Sequence, residues 1–175
     1  MRVIGGEFRS RRLKSIPGLA TRPTSDRLRE TLFNILGAQV EGAVFLDAYA
    51  GTGAVGIEAL SRGAARAVFI EKSKNAANVL HENLASLGVE GRALVVVAPT
   101  LSSIAARKAD IVFLDPPYER EGEYAPALHL LNGDPPRLVV VQHSVRFTLE
   151  ESYGGLKRTR TLKQGDNALS FYAID

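Results

Sequence analysis

The 175-residue chain contains no cysteine. Disulfides and thiolate metal sites are therefore excluded, and a cytoplasmic setting is expected. No apolar run approaches the roughly 20 residues needed to span a bilayer, so no membrane partner is expected. The first residues, Met1-Arg2-Val3-Ile4-Gly5-Gly6, lack the apolar core of a secretory signal, and no export is expected. Internal repeats and low-complexity segments are likewise missing. What remains is ordinary for a soluble globular protein, with 45% hydrophobic and 23% charged residues. The length suits a single core.

Charge is unevenly distributed. Residues 1–30 hold Arg2, Arg9, Arg11, Arg12, Lys14, Arg22, Arg27 and Arg29 against Glu7, Asp26 and Glu30, a net of +5. The rest of the chain then carries −2 of the total of +3. A basic arm on a nearly neutral body points to a polyanionic partner. Two regions are expected: a basic N-terminal extension over 1–40, made of a hairpin and a helix, and a larger domain over 41–175.

Residues 2–16 read as short extended segments, and Pro17-Gly18 as a turn. Thr24-Ser25-Asp26 can cap a helix through Leu28, Leu32, Phe33 and Leu36, with Gly37 as its stop. From residue 43 strands and helices alternate. Strands are expected at 43–46, 67–70, 93–97, 111–114 and 138–142. Helices are expected through Ile57 and Leu60, over 75–87 ending at Gly88, and more weakly over 101–106 and 124–131. The tail reads as a hairpin, 156–163 and 168–174, around Gln164-Gly165-Asp166-Asn167. This pattern predicts an α/β fold with a doubly wound, mostly parallel Rossmann-like sheet and a C-terminal antiparallel hairpin. In the order 3-2-1-4-5 the ligand crevice lies between strands one and four.

Two motifs follow those strands. Asp47-Ala48-Tyr49-Ala50-Gly51-Thr52-Gly53-Ala54-Val55-Gly56 is a glycine loop between strand one and a helix, suited to close approach of a ligand. Glu71 follows at the end of strand two, where a carboxylate can accept ribose hydroxyls. Alone, this equally suggests a dinucleotide oxidoreductase. Asp47 discriminates, because a carboxylate there would repel a pyrophosphate but neutralise an ammonium; a structural cap of the loop is the alternative role. S-adenosylmethionine carries an ammonium, a sulfonium and a nucleoside, and no phosphate. The second motif, Asp115-Pro116-Pro117-Tyr118, lies far along the chain from Asp47 and follows the apolar run 111–114. Two prolines cannot extend a ladder, so a stiff loop presents a carboxylate, a carbonyl and a ring. These suit the amino group and face of a nucleobase.

Together these motifs resemble the class I S-adenosylmethionine-dependent methyltransferases acting on exocyclic amino nitrogens. Arg2–Gly6, Arg9–Leu13, Arg22–Asn34, Gly56–Ala64 and Gly165–Tyr172 narrow the resemblance to the bacterial 16S ribosomal RNA guanine-N2 methyltransferase family, over nearly the whole chain. The resemblance implies methyl transfer to a guanine N2 in 16S ribosomal RNA or an assembling small subunit, leaving S-adenosylhomocysteine; a monomer is expected. It implies that Asp47 and the backbone of Ala48, Tyr49, Ala50, Gly51, Thr52 and Gly53, with Gly56, hold the methionine moiety. It places Glu71, flanked by Lys72, at the ribose. Asp115 and the Pro116 carbonyl would orient the target amino group, with Pro117 stiffening the loop and Tyr118 stacking on the base. Arg9, Arg11, Arg12, Lys14, Arg22, Arg27 and Arg29 would hold RNA phosphates. Many relatives carry Asp or Asn after strand three to contact adenine; here that stretch is Val97-Ala98-Pro99-Thr100, leaving backbone atoms or Leu101 for the task.

The chemistry expected is positioning. Hydrogen bonds from the guanine amino group to Asp115 and Pro116 would favour a pyramidal nitrogen aimed at the methyl group, about 3–3.5 Å away. The sulfonium is already an activated leaving group, so no metal is expected. His81, His129 and His143 lie away from both loops and read as structural or exposed. An adenine-N6 DNA methyltransferase shares the Asp-Pro-Pro-Tyr chemistry, but no extra domain for reading DNA sequence is evident. A glutamine-methylating enzyme leaves the basic arm unexplained. An NAD-dependent oxidoreductase accounts for the glycine loop alone, and a non-catalytic RNA-binding protein for the arm alone.

Overall fold

The computed structural model describes residues 1–17 and 24–175; Arg22 and the Gly18 half of the expected turn lie outside them. Among the described residues, five parallel strands, β1 (Val44–Asp47), β2 (Arg66–Glu71), β3 (Ala93–Val97), β4 (Ile111–Leu114) and β5 (Leu138–Ser144), join three antiparallel ones, β6 (Ser152–Tyr153), β7 (Leu156–Gln164) and β8 (Asn167–Ala173). They form one sheet in the order β3-β2-β1-β4-β5-β8-β7-β6. The expected reversal between strands one and four is present, with the hairpin continuing the sheet beside β5. The short β6 was not legible in the sequence.

Helices α1 (Asp26–Leu36), α2 (Ala54–Ser61), α3 (Lys74–Leu87), α4 (Thr100–Ser103) and α5 (Tyr124–Leu130) cover the sheet. Side chains alternate between the faces of a strand, which divides the core. Phe45, Ile111, Phe113, Val140 and Phe171 pack with Leu28, Leu32, Phe33 and Leu36 of α1. Phe69 and Ala67 pack with Ile57 of α2 and Leu80 and Leu84 of α3. Leu46, Val68, Val112, Leu114, Val139 and Tyr172 face the other way, onto Tyr124, Ala127 and Leu128 of α5. Ser25 caps α1 by accepting the Leu28 N–H at 3.1 Å, and Gly88, at φ 68°, closes α3 in the left-handed region. No helix among the described residues is long and apolar enough to cross a membrane.

The N-terminal segment doubles back on itself: the Val3 N–H donates to the Arg11 carbonyl at 2.9 Å, that of Leu13 to Met1 at 2.8 Å and that of Ser10 to Val3 at 2.9 Å. Arg2 and Arg12 form the antiparallel bridge between its two arms. This short, folded-back strap is held by side chains of α2 and α3. Glu58 accepts the N–H groups of Ile4 (2.8 Å) and Gly5 (2.9 Å). Ser61 accepts the Phe8 N–H at 2.9 Å, and Asn83 accepts that of Lys14 at 2.7 Å. Val3 and Leu13 are buried against Ile57, Leu60 and Leu80.

Arg29 is a correction. Expected at a phosphate, it is fully buried and turned into the protein. It donates to the Arg2 carbonyl and to Asp26, and its Nε lies 3.4 Å from Glu58 Oε1. Burial lowers its pKa, opposed by Glu58 and Asp26. A buried guanidinium needs a paired carboxylate, and Glu58, itself fully buried and bonded to Arg62 at 2.9 Å, supplies one.

Candidate active site

The site is assembled at the C-terminal ends of β2, β1 and β4. Asp47 pairs with Phe69 on one side and Phe113 on the other. Glu71 and Asp115 therefore each sit two residues further along the neighbouring strands. With strands spaced roughly 4.8 Å apart, three carboxylates line an edge roughly 10 Å wide. The two motifs, distant in sequence, are thus brought side by side.

The glycine loop is tied to both neighbours. The Ala48 N–H donates to the Phe113 carbonyl at 3.0 Å, and that of Ala50 to Ile70 at 2.9 Å. Asp47 is buried, at 2% exposure, and accepts the Gly56 N–H at 3.0 Å in the first turn of α2. Desolvation pushes its pKa up from 3.8 to about 7, partly opposed by the Gly56 bond and reinforced by the negative Glu71. A buried carboxyl beside one backbone donor and a second acid is a site that a cation would settle. Its capping bond and such a role are compatible, since a carboxylate has lone pairs for both. Gly56 sits where a Cβ would come within 2.3 Å of Phe69, so its absence of a side chain lets α2 rest on β2. Gly51, at φ 57°, has nothing within 4 Å of its Cβ position; it leaves open space in front of the loop.

Glu71, at the end of β2, is half-buried. Its Oε2 accepts the Gly51 N–H at 2.7 Å and its Oε1 that of Ser73 at 2.8 Å. The carboxylate is thereby fixed at the mouth, and each oxygen retains a lone pair for a hydroxyl donor. Lys72 beside it is exposed. These acceptor sets suit a ligand with an ammonium at β1 and a diol at β2.

The stretch after β3 braces the loop. Thr100 is buried, and its hydroxyl donates to the Ala48 carbonyl at 2.6 Å. Leu101 is half-buried and packs on the core beside it. Tyr49 donates to Glu123 at 2.6 Å, linking the glycine loop to the short helical turn, Tyr118–Glu123, that follows the second motif. Burial raises the phenol pKa, and the Glu123 carboxylate adds to the rise. The Tyr49–Glu123 latch had no local signal in the sequence.

In the second motif Asp115 is half-buried, Pro116 buried and Pro117 exposed. Tyr118 is 54% exposed. Asp115 Oδ2 lies 3.3 Å from the hydroxyl of Thr24. Of the basic residues, Arg9, Arg11, Arg12, Lys14 and Arg27 are exposed. Arg11 donates to the Ser86 carbonyl at 2.7 Å and Lys14 pairs with Glu82 at 2.7 Å; both are surface contacts of small energy that a phosphate can displace. His143 is buried and bonded to Ser170 at 2.8 Å, with its pKa lowered by burial. His81 and His129 are exposed.

Residues 1–173 match the family described as "Conserved hypothetical protein 95". "Putative rRNA methyltransferase YlbH" of Bacillus subtilis (strain 168) is 34% identical over 181 residues, spanning 98% of each chain. "Ribosomal RNA small subunit methyltransferase D" of Escherichia coli (strain K12) is 45% identical over 122 residues, covering 69% of this chain and 61% of that protein. Among solved structures, the "Putative methyltransferase yhhF from Escherichia coli" superposes with a TM-score of 0.87 at 38% identity, covering 100% of this chain and 98% of its own.

Proposed function

The chain belongs to this family, and we propose that it transfers a methyl group from S-adenosylmethionine to the exocyclic N2 of a guanine in 16S ribosomal RNA. The observation that carries the reading is the row of three carboxylates at the ends of β2, β1 and β4, beside a stiff Asp-Pro-Pro-Tyr loop. A pyrophosphate would be repelled by that row, whereas an ammonium and a ribose diol fit it. The names of the two relatives support methyl transfer and a ribosomal RNA substrate. Guanine N2 rests on the resemblance of Arg2–Gly6, Arg9–Leu13, Arg22–Asn34, Gly56–Ala64 and Gly165–Tyr172 to one family.

S-adenosylmethionine supplies a methyl group already activated on a sulfonium. The protein's own part is to bind and orient. Asp47 and the backbone of 48–53 hold the ammonium end, and Glu71 accepts from the ribose. Asp115 and the Pro116 carbonyl accept the two N–H bonds of the target amino group, holding its lone pair out of conjugation with the ring. Tyr118 stacks on the base and fixes its tilt. The exposed cations Arg9, Arg11, Arg12, Lys14 and Arg27 engage phosphates and set the register of the RNA on the site. Calorimetry with S-adenosylhomocysteine and with NAD tests the cofactor half of this reading. Micromolar binding of the first and none of the second is expected; the reverse would return the glycine loop to a dinucleotide.

A further inference from the structure

Asp115 is not held by its own loop alone. Thr24 lies immediately before the cap of α1 and is buried, at 7% exposure. Its Oγ1 is 3.3 Å from Asp115 Oδ2 and 3.1 Å from the amide oxygen position of Gln142 on β5. Gln142 is buried as well. A hydroxyl has one hydrogen to give, so Thr24 cannot donate to both acceptors. The two ends of a glutamine amide are distinguished by their partners. With the amide nitrogen turned toward Thr24, the conflict is removed: Gln142 donates to Thr24 Oγ1, and the Thr24 hydroxyl donates to the carboxylate. The alternative places two acceptors against one proton in a buried site.

We infer that Thr24, oriented by the Gln142 amide, is a positioning residue that fixes the Asp115 carboxylate for the amino group of the substrate. The inference rests on the role proposed above for Asp115. Its geometry has a specific logic. Asp115 follows β4, Gln142 is on the adjacent β5, and Thr24 comes from the segment joining the basic strap to α1. A carboxylate at the end of a strand can rotate about its Cα–Cβ and Cβ–Cγ bonds, and an acceptor for a substrate N–H must be set in one of those rotamers beforehand. Backbone stiffness from Pro116 and Pro117 fixes the main chain but does not set those torsions. A hydroxyl donor on a rigid support helps to set them. At 3.3 Å the contact is longer than an ordinary O–H···O bond, as such contacts are before a site is filled. The same bond joins the start of α1 to the catalytic loop, so the base-holding carboxylate is set by the element that follows the strap.

The test is Thr24→Val, which keeps the shape and removes the hydroxyl, with Thr24→Ser as the conservative variant and Gln142→Leu to release the hydroxyl from its holder. Methyl transfer to undermethylated small subunits is measured alongside calorimetry with S-adenosylhomocysteine. Losing one hydrogen bond to a charged group corresponds to roughly a 10- to 100-fold fall in kcat. Thr24→Val is expected to show that fall with KM for the subunit and cofactor affinity within about twofold, and Thr24→Ser to recover most of the rate. Gln142→Leu is expected to fall in the same direction by a smaller factor. Wild-type kcat in Thr24→Val, or a loss in Thr24→Ser equal to that in Thr24→Val, overturns the inference, as does a fall that resides wholly in KM or cofactor affinity. The parallel variant Asp115→Ala separates this from the underlying reading. If Asp115→Ala is inactive while Thr24→Val is unimpaired, only the positioning role fails; if Asp115→Ala keeps full activity, the role of Asp115 fails.

Discussion

Replacing Asp47 with Asn removes a buried charge while keeping an oxygen to accept the Gly56 N–H. The carboxyl is 2% exposed and its pKa is pushed from 3.8 to about 7 by desolvation. A folded-state pKa above the unfolded one gives stability that is complete below pH 3.8 and is lost as pH rises through 7. The cost of holding Asp47 in the ligand-free fold, relative to its protonated form, is then about 2 kcal/mol at pH 5 and about 4 kcal/mol at pH 8. Asp47→Asn carries no such dependence. Urea unfolding of both proteins at pH 5 and pH 8 is expected to show the variant gaining about 2–3 kcal/mol on the wild type over that interval. A ligand ammonium beside Asp47 favours the carboxylate and so lowers its pKa. Binding of S-adenosylhomocysteine at pH 6 is expected to release nearly one proton, and at pH 8 only about a tenth of one, as read from calorimetry in buffers of different ionisation enthalpy. In Asp47→Asn that release disappears and affinity falls. A stability difference that stays flat from pH 5 to 8, with no proton release on binding, would refute the assignment of Asp47 as a buried carboxyl of raised pKa awaiting a cation.

Glu58→Ala leaves the buried Arg29 without its inner carboxylate and the Ile4 and Gly5 N–H groups without their acceptor. A loss of about 3 kcal/mol is expected in urea unfolding, at the lower end for a broken buried pair because Asp26 stays bonded to Arg29; an effect below about 1 kcal/mol would contradict it. Neutralising Arg9, Arg11, Arg12 and Lys14 one by one is expected to weaken RNA binding and flatten its dependence on salt by about 0.7 in log–log slope per lost contact to single-stranded RNA. Filter binding across a salt series checks this, and an unchanged slope would remove the strap from the RNA interface.

Strand order was legible because short apolar runs at 43–46, 67–70, 93–97, 111–114 and 138–142 alternate with helical periodicity, and right-handed crossovers leave few ways to arrange them. The glycine loop and Asp-Pro-Pro-Tyr were legible for the same reason: each directly follows a strand, so its place on the sheet edge comes with the strand. Arg29 was misread because charge was counted by segment. It stands at i, i+4 and i+7 with Phe33 and Leu36, the apolar stripe of α1, and that spacing was the available sign of burial. Its partner Glu58 lies between Ile57 and Ala59 in a helix of otherwise small and apolar residues, a second such sign. The strap reads as short extended segments, and its two arms do pair through Arg2 and Arg12. What the sequence did not show is its anchorage, which comes from Glu58, Ser61 and Asn83 on helices far along the chain. Thr24 reads locally as a cap beside Ser25, and nothing within the chain's local pattern joins it to the distant Asp115.

Tritiated methyl transfer from S-adenosylmethionine to small ribosomal subunits lacking the modification, followed by digestion of the 16S RNA to nucleosides, tests the central claim most directly. Label is expected in N2-methylguanosine with the wild-type protein and in no nucleoside with Asp115→Ala, although that variant binds S-adenosylhomocysteine normally. Label in N6-methyladenosine, label in protein rather than RNA, or undiminished transfer by Asp115→Ala would contradict it.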